Sequence, residues 1–154
     1  MAAILRNHVV ESRYKIGEIH YVRPTAGHVI IEDDQTRKNA LLNHQKWSNM
    51  MMSLSDINDA VAKFRDNQEI VKFRRHIGGA YYVSVTSGIH CVDIRKFYLL
   101  DEKLMPSRDG IGLRFSEWEN LNQVIPMLHA DRPDIAAVVP CWEREDHNDP
   151  EGYF

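Results

Sequence analysis

The sequence predicts an α+β fold made of two tandem units, each a set of β-strands followed by an α-helix. Short runs of alternating apolar and polar residues indicate strands, and two stripes of apolar residues at helical spacing indicate helices. The order of segments also repeats, because Tyr21-Val22 corresponds to Tyr82-Val83 at an offset of 61 and Trp47 to Trp118 at an offset of 71. One such unit is too small to bury a core alone. We therefore expect the two units to pair through their helices as an intramolecular pseudo-dimer.

The first unit begins with two predicted strands, 13–24 and 28–33, separated by a Pro- and Gly-containing turn. A short apolar run follows at 40–42. Asn43 is a good N-cap residue, and an apolar stripe with a period of three to four residues runs from there to Phe64. This pattern predicts one amphipathic helix of nearly five turns.

The second unit repeats this plan with a longer hairpin before its last strand. Its strands are predicted at 71–75, 80–85, 90–100 and 111–115. Residues 101–110 are rich in turn-forming types. Ser116 and Glu119 have the spacing of a capping box, which predicts a helix that starts there and is kinked or ended near Pro126.

The charge of the chain is unevenly distributed. Its 19 Lys and Arg against 22 Asp and Glu give a formal charge of −3, which at face value argues against a nucleic-acid binder. Residues 141–154 alone contain five acids and one base, and without them 18 bases face 17 acids. We assign the units to residues 13–67 and 68–133 and predict a mobile acidic tail at 134–154. The charge therefore does not exclude a nucleic-acid partner.

The motifs of several other classes are missing from this sequence. It has no apolar run of membrane-spanning length and no leader pattern, which predicts an intracellular protein without a membrane partner. Cys91 and Cys141 have no ligand spacing around them, and we predict neither a metal nor a cofactor. Ser84, His90 and Asp93 fall close together, but their position along strands gives no reason to expect a catalytic triad. We expect no enzymatic activity.

Four stretches of the second unit and three of the first resemble the C-terminal domain of the positive cofactor four family of transcriptional coactivators. In the second unit they are YVSV (82–85), VDIRKFY (92–98), PSRDGIGL (106–113) and the Trp118 helix. In the first unit they are YKIGEIHYV (14–22), RKNALL (37–42) and WSNMMMSLSDINDAVAKF (47–64). The resemblance implies a curved four-stranded antiparallel sheet in each unit, paired helices, and channels that bind single-stranded DNA. It also implies a nuclear protein that works with transcription or replication proteins.

Single-stranded nucleic acid is bound by aromatic rings that stack on bases and by Lys and Arg that meet phosphates. Tyr98 stands where the family has its stacking Trp, and Arg95, Arg108 and the Arg37-Lys38 pair match family bases. The predicted nucleic-acid-binding residues are Arg23, His28, Arg37, Lys38, Lys72, Arg74, Arg75, Arg95, Lys96, Tyr98 and Arg108. The predicted helix-pairing core consists of Trp47, Met51, Leu54, Trp118, Leu121 and Ile125.

Departures from the family pattern leave a second interpretation open. Asp109 replaces a Lys of the turn, and His28 and Ile89 stand where the family has strand lysines. The first unit also has no equivalent of the stacking residue. The alternative function is a protein-interaction module of the transcription or replication machinery whose DNA channel has degenerated. In that case Tyr98 is a half-buried strand aromatic and Arg108 a solvated turn residue. Further dimerisation of the chain stays open.

Overall fold

The computed structural model describes residues 13–136, and the acidic tail predicted beyond Ala136 lies outside the described residues. Two separate four-stranded antiparallel sheets follow each other along the chain, each continued by helices, so the predicted α+β class is confirmed. Sheet A consists of β1 (Tyr14–Lys15), β2 (His20–Pro24), β3 (His28–Asp33) and β4 (Asn39–Asn43), followed by α1 (His44–Met52) and α2 (Leu54–Arg65). Sheet B consists of β5 (Lys72–Gly78), β6 (Tyr81–Thr86), β7 (Cys91–Leu100) and β8 (Lys103–Arg114), followed by α3 (Phe115–Asp131) and α4 (Pro133–Ala136). Residues 13–67 are called the first half below, and residues 68–136 the second half.

Two of the predicted strand boundaries are wrong. Residues 13–24 form two strands, because the N–H groups of Ile16 and Gly17 both donate to the carbonyl of His20 and turn the chain back on itself. Residues 103–110, predicted as part of a turn, belong to β8, in which 103–106 and Gly110 pair with β7. The reversal is confined to Asp101 and Glu102, which both adopt positive φ, as a two-residue hairpin turn requires.

The helix boundaries also differ in part from the predictions. The N-cap at Asn43 is confirmed, since its side chain accepts a hydrogen bond from Lys46 N at 2.8 Å. The single long helix predicted beyond it is broken at Ser53, whose own hydroxyl donates to the carbonyl of Asn49 and competes with the helical bonding pattern. Helix α3 does not end at Pro126 but continues to Asp131.

The N-terminus of α3 lies two residues before the predicted capping box. Arg114 occupies the N-cap position, and its backbone N–H donates to Glu117 Oε1 at 2.8 Å. Glu117, not Glu119, is therefore the acid that caps this helix. Its second oxygen lies 2.7 Å from His20 Nδ1, and both side chains are almost buried. Gly17 permits this approach, because a Cβ atom there would overlap the Glu117 carboxylate.

The helices supply most of the contacts between the two halves. Trp47, Trp118 and Leu121 are almost completely buried and Ile125 is 8% exposed, whereas Met51 and Leu54 are only partly buried against the same core. Both indole N–H groups donate across the boundary, Trp47 to His129 Nε2 at 2.9 Å and Trp118 to Asn58 Oδ1 at 2.6 Å. The helices thus bring together residues that are 60 and 82 positions apart.

Two asparagines add a second pair of bonds between the halves. Asn120 Nδ2 donates to the carbonyl of Ile16, and Asn49 Nδ2 donates to the carbonyl of Ile77, both at 2.8 Å. Helices α1 and α3 are therefore each hydrogen-bonded to a strand or turn of the opposite half. Ile135 of α4 is also buried, so residues 134–136 of the predicted tail belong to the folded part. No helix within residues 13–136 is long and apolar enough to cross a membrane.

Candidate nucleic-acid interface

Sheet B has a groove on its outer face, the face turned away from the helices. Strand alternation places Val83 and Ile94 in the core and leaves Ser84, Asp93 and Arg95 on the opposite side. The groove has a volume of about 540 Å³. Its lining, which defines the outer groove, is Arg74, Ser84, Thr86, Ile89, Cys91, Asp93, Arg95, Phe97, Pro106, Ser107, Arg108 and Gly112.

Arg95 is held in the outer groove by contacts from two strands. Its guanidinium donates to Asp93 at 2.9 to 3.2 Å and to the carbonyl of Ser107 at 2.9 Å. The hydrogen bonds to Asp93 raise the pKa of Arg95 above its ordinary value, so the side chain stays charged. Arg95 is therefore a fixed part of the groove wall, with one carboxylate already beside it.

The β7–β8 register shows why Ser107 comes within reach of Arg95. Arg95 pairs with Gly110 and Phe97 pairs with Pro106, so β8 contains two more residues than β7 over this interval and bulges outward. The bulge requires Gly110, because a Cβ atom there would lie 2.6 Å from Arg95 Cα and from the Ile94 carbonyl oxygen. Ser107 and Arg108 occupy the bulge itself.

Phe97 is the aromatic residue among those that line the outer groove. It is 7% exposed, and Tyr82 packs edge-on against it with ring centroids 5.2 Å apart. The guanidinium of Arg74 lies 4.7 Å from the Phe97 ring centroid, in the position of a cation–π contact. The residue predictions omitted Phe97, although its alternation with Asp93 and Arg95 along β7 already indicated this face.

Ser84 is a second groove residue that the predictions omitted. Its hydroxyl oxygen is buried and has no hydrogen-bond partner among residues 13–136. A buried polar group of this kind calls for a partner, and the hydroxyl borders the outer groove. Ser84 pairs with Asp93 across the sheet, whereas His90 packs against Phe64 of α2 with ring centroids 5.2 Å apart. These three residues are therefore not assembled as a triad.

Cys91 and Tyr98 lie at opposite ends of β7. Burial raises the pKa of the Cys91 thiol to about 11, so it is neutral at physiological pH. Tyr98 is 48% exposed near the end of the β7–β8 hairpin. Its ring borders a small cleft that Tyr82, Phe97 and Leu104 also line. Tyr98 is thus accessible near the hairpin tip but is not among the residues that line the outer groove.

A second concave region, here called the junction cleft, lies where β4 meets β8 and the two halves join. Its volume is about 550 Å³, and the N–H of Leu41 donates to Tyr81 Oη at 3.1 Å along its wall. The predicted residues that it brings together are His28, Arg37, Lys38, Lys96 and Arg108. Lys46 of α1, which the predictions omitted, also lines it. Arg108 borders both the junction cleft and the outer groove.

Besides Tyr98, three of the predicted residues line neither the outer groove nor the junction cleft. Arg23 is paired with Glu32 at 2.9 Å on sheet A. Arg75 points toward the helices, where it contacts Asp56 at 3.0 Å and the Ser53 hydroxyl at 3.2 Å. Lys72 is exposed on the edge strand β5, beside the outer groove. Among the described residues no cluster of three or more His, Cys, Asp or Glu side chains is placed to hold a metal ion.

An antiparallel sheet with a concave face that carries arginines and aromatic rings is typical of proteins that bind single strands. Residues 76–124, which contain β6, β7 and β8, match the family described as Transcriptional Coactivator p15 (PC4). The second half of the chain is therefore similar to this coactivator family over residues 76–124. The matched segment includes most of the outer groove.

Two curated proteins are also similar to part of the chain. A Neurospora crassa protein named "Putative RNA polymerase II transcriptional coactivator" is 44% identical over 48 residues, which are 31% of this chain and 28% of that protein. A Caenorhabditis elegans protein with the same name is 39% identical over 56 residues, which are 34% of this chain and 45% of that protein. The chain thus spans less than half the length of each relative. No solved structure matches the chain significantly.

Proposed function

We propose that this chain binds single-stranded or melted DNA and acts in the nucleus as a coactivator-like protein of transcription, through binding alone. The observation that carries the proposal is the outer groove, where Arg74 lies over the Phe97 ring and Arg95 and Arg108 line the same cavity. The family match over residues 76–124 and the two relatives named as transcriptional coactivators support it.

The chemistry of the outer groove suits an unpaired strand better than a duplex. Phosphates would meet the three arginines that line the outer groove. An exposed base would stack on Tyr98, and such stacking contributes ~1–3 kcal/mol per base. Because Asp93 already neutralises part of the charge of Arg95, we expect modest affinity that falls with added salt.

The test is fluorescence anisotropy with a labelled oligonucleotide of about 16 nucleotides, single-stranded and double-stranded, at two salt concentrations. We expect preferential binding of the single strand and a steep loss of affinity at the higher salt concentration. Equal binding of both forms, or no binding at low salt, would contradict the proposal.

We further propose that the two halves are tandem copies of one unit, paired as an intramolecular pseudo-dimer. The hydrogen bonds between the halves support this, because they occur in corresponding pairs. Trp47–His129 corresponds to Trp118–Asn58 at an offset of 71. The Asn49–Ile77 and Asn120–Ile16 bonds correspond in the same way. Reciprocal contacts of this kind are typical of a twofold interface.

A second candidate function is a protein-interaction module, and the tip of the β7–β8 hairpin favours it. Leu99 and Leu100 are 63% and 51% exposed there, next to Tyr98. Adjacent exposed apolar side chains are typical of surfaces that dock a protein partner. Because this candidate implies a degenerate DNA channel, it predicts weak or no single-strand binding by the parent and loss of association with transcription proteins in a Leu99→Ser/Leu100→Ser variant.

A further inference from the structure

The junction cleft contains an excess of positive charge that both halves contribute. Arg37, Lys38 and Lys46 come from the first half, and Lys96 and Arg108 come from the second. Asp109 is the single acid among its lining residues. Five cationic side chains and one carboxylate therefore line a concave space of about 550 Å³.

Within residues 13–136 these five cations form no ion pairs, although most other arginines on the same sheets do. Lys96 lies with its ammonium 5.7 Å from the centroid of the Tyr81 ring. Burial lowers the pKa of Lys46, and the neighbouring charge of Lys96 lowers it further. Two ammonium groups held near each other without a counterion are stabilised when an anion binds between them.

The position that corresponds to Lys46 in the other half carries a negative charge instead of a positive one. At the offsets of 71 and 61, Glu117 corresponds to Lys46 and His20 corresponds to Tyr81. There the Glu117 carboxylate lies 2.7 Å from His20, and Gly17 leaves room for this contact. An acid thus stands in one half where a lysine stands in the other, and the cationic cleft exists on one side of the molecule.

We propose that the junction cleft binds backbone phosphates of the same nucleic-acid strand that occupies the outer groove, and so extends the binding site across the boundary between the halves. Arg108 borders both cavities and makes them continuous. The proposal rests on the proposed function. It adds that Lys46 and Lys96 contact phosphates only when the strand is long enough to leave the outer groove.

The experiment measures the affinity of single-stranded oligonucleotides of about 5 and about 16 nucleotides for the full chain and for a Lys46→Gln/Lys96→Gln variant. For the longer strand we expect a loss on the order of tenfold at about 0.1 M salt. The slope of log K against log salt should also fall in magnitude by about 1.4, because each phosphate contact of a single strand contributes about 0.7. The shorter strand should bind both proteins equally.

The matched control is Lys63→Gln, which removes the charge of an exposed helical lysine paired with Asp59 outside both cavities. It should leave both affinities unchanged. Thermal unfolding checks the fold of the double variant, which should be at least as stable as the parent because it removes two neighbouring positive charges.

The outcomes separate this proposal from the proposed function. If the double variant binds the longer strand as the parent does, or loses affinity for both lengths equally, the role of the junction cleft is wrong and the outer groove stands. If the parent binds only the longer strand and the variant binds neither, phosphate binding by the junction cleft is supported and the role of the outer groove is contradicted. A parent chain that binds neither strand would overturn both proposals.

Discussion

Arg95 and Tyr98 lie on the same strand, β7, but play different parts in the structure. Arg95 joins β7 to the bulge of β8 through Asp93 and the Ser107 carbonyl, and its side chain is 20% exposed. Tyr98 is 48% exposed, and its ring packs only along the margin of the sheet. One residue therefore shapes the site, and the other is free to contact a ligand.

This difference predicts unequal effects of two alanine substitutions. Arg95→Ala should lower the free energy of unfolding by about 2 kcal/mol, because it removes charge-assisted hydrogen bonds and leaves Asp93 unpaired. Tyr98→Ala should leave stability within about 0.5 kcal/mol and weaken single-strand binding by ~1–3 kcal/mol. Urea unfolding and fluorescence anisotropy measure the two effects. A strongly destabilised Tyr98→Ala variant would show that the ring is structural.

The β7–β8 hairpin is the element that determines the shape of the outer groove. Its strands contain 10 and 12 residues, whereas the corresponding strands β3 and β4 contain 6 and 5. The bulge opposite Arg95 directs Arg108 to the border between the two cavities. The first half, with its shorter hairpin, has no equivalent of this bulge among its described strands.

The hairpin depends on Gly110, and this gives a sharp prediction. Gly110→Ala would place a methyl group 2.6 Å from the Arg95 backbone, so the two strands must separate. We expect a loss of at least about 2 kcal/mol in the free energy of unfolding, together with loss of single-strand binding. Gly88→Ala is the control, since a Cβ atom there meets nothing within 4 Å. Equal stability of the two variants in urea would contradict the role assigned to the bulge.

The helices that join the halves contain one hydrogen bond that responds to pH. His129 Nε2 accepts the Trp47 indole N–H, and burial lowers the pKa of His129 below its ordinary value of 6.5. As the pH falls through 6.5, the unfolded chain takes up this proton first. Protonation would also remove the acceptor of the indole bond. The contribution of His129 to stability is therefore present at neutral pH and declines in mildly acidic solution.

His129→Asn tests this dependence, because Asn58 already serves as the acceptor for Trp118. The parent should lose stability between about pH 7.5 and about pH 5.5, and the variant should lose less over the same interval. Urea unfolding of both proteins at the two pH values measures the difference, which isolates His129 from the other histidines. An identical pH dependence in the two proteins would contradict this assignment.

At the scale of the whole molecule, an intramolecular pseudo-dimer needs only one chain to complete its core. The helix contacts at Trp47 and Trp118 already join the two halves of a single chain. Light scattering should therefore give the mass of one chain, 17.9 kDa, and the value should persist on dilution because the halves are covalently linked. A mass of two chains at micromolar concentration would contradict the proposal.

The sequence by itself determined the α+β class, the order of strands and helices, the Asn43 cap and the buried tryptophans. All of these depend on local periodicity or capping chemistry within a few neighbouring residues. Only the tertiary structure decided that Arg95 is tied to the Ser107 carbonyl and that Lys46 joins Lys96 in the junction cleft. These features depend on strand register and on contacts between distant residues, and no short pattern encodes them.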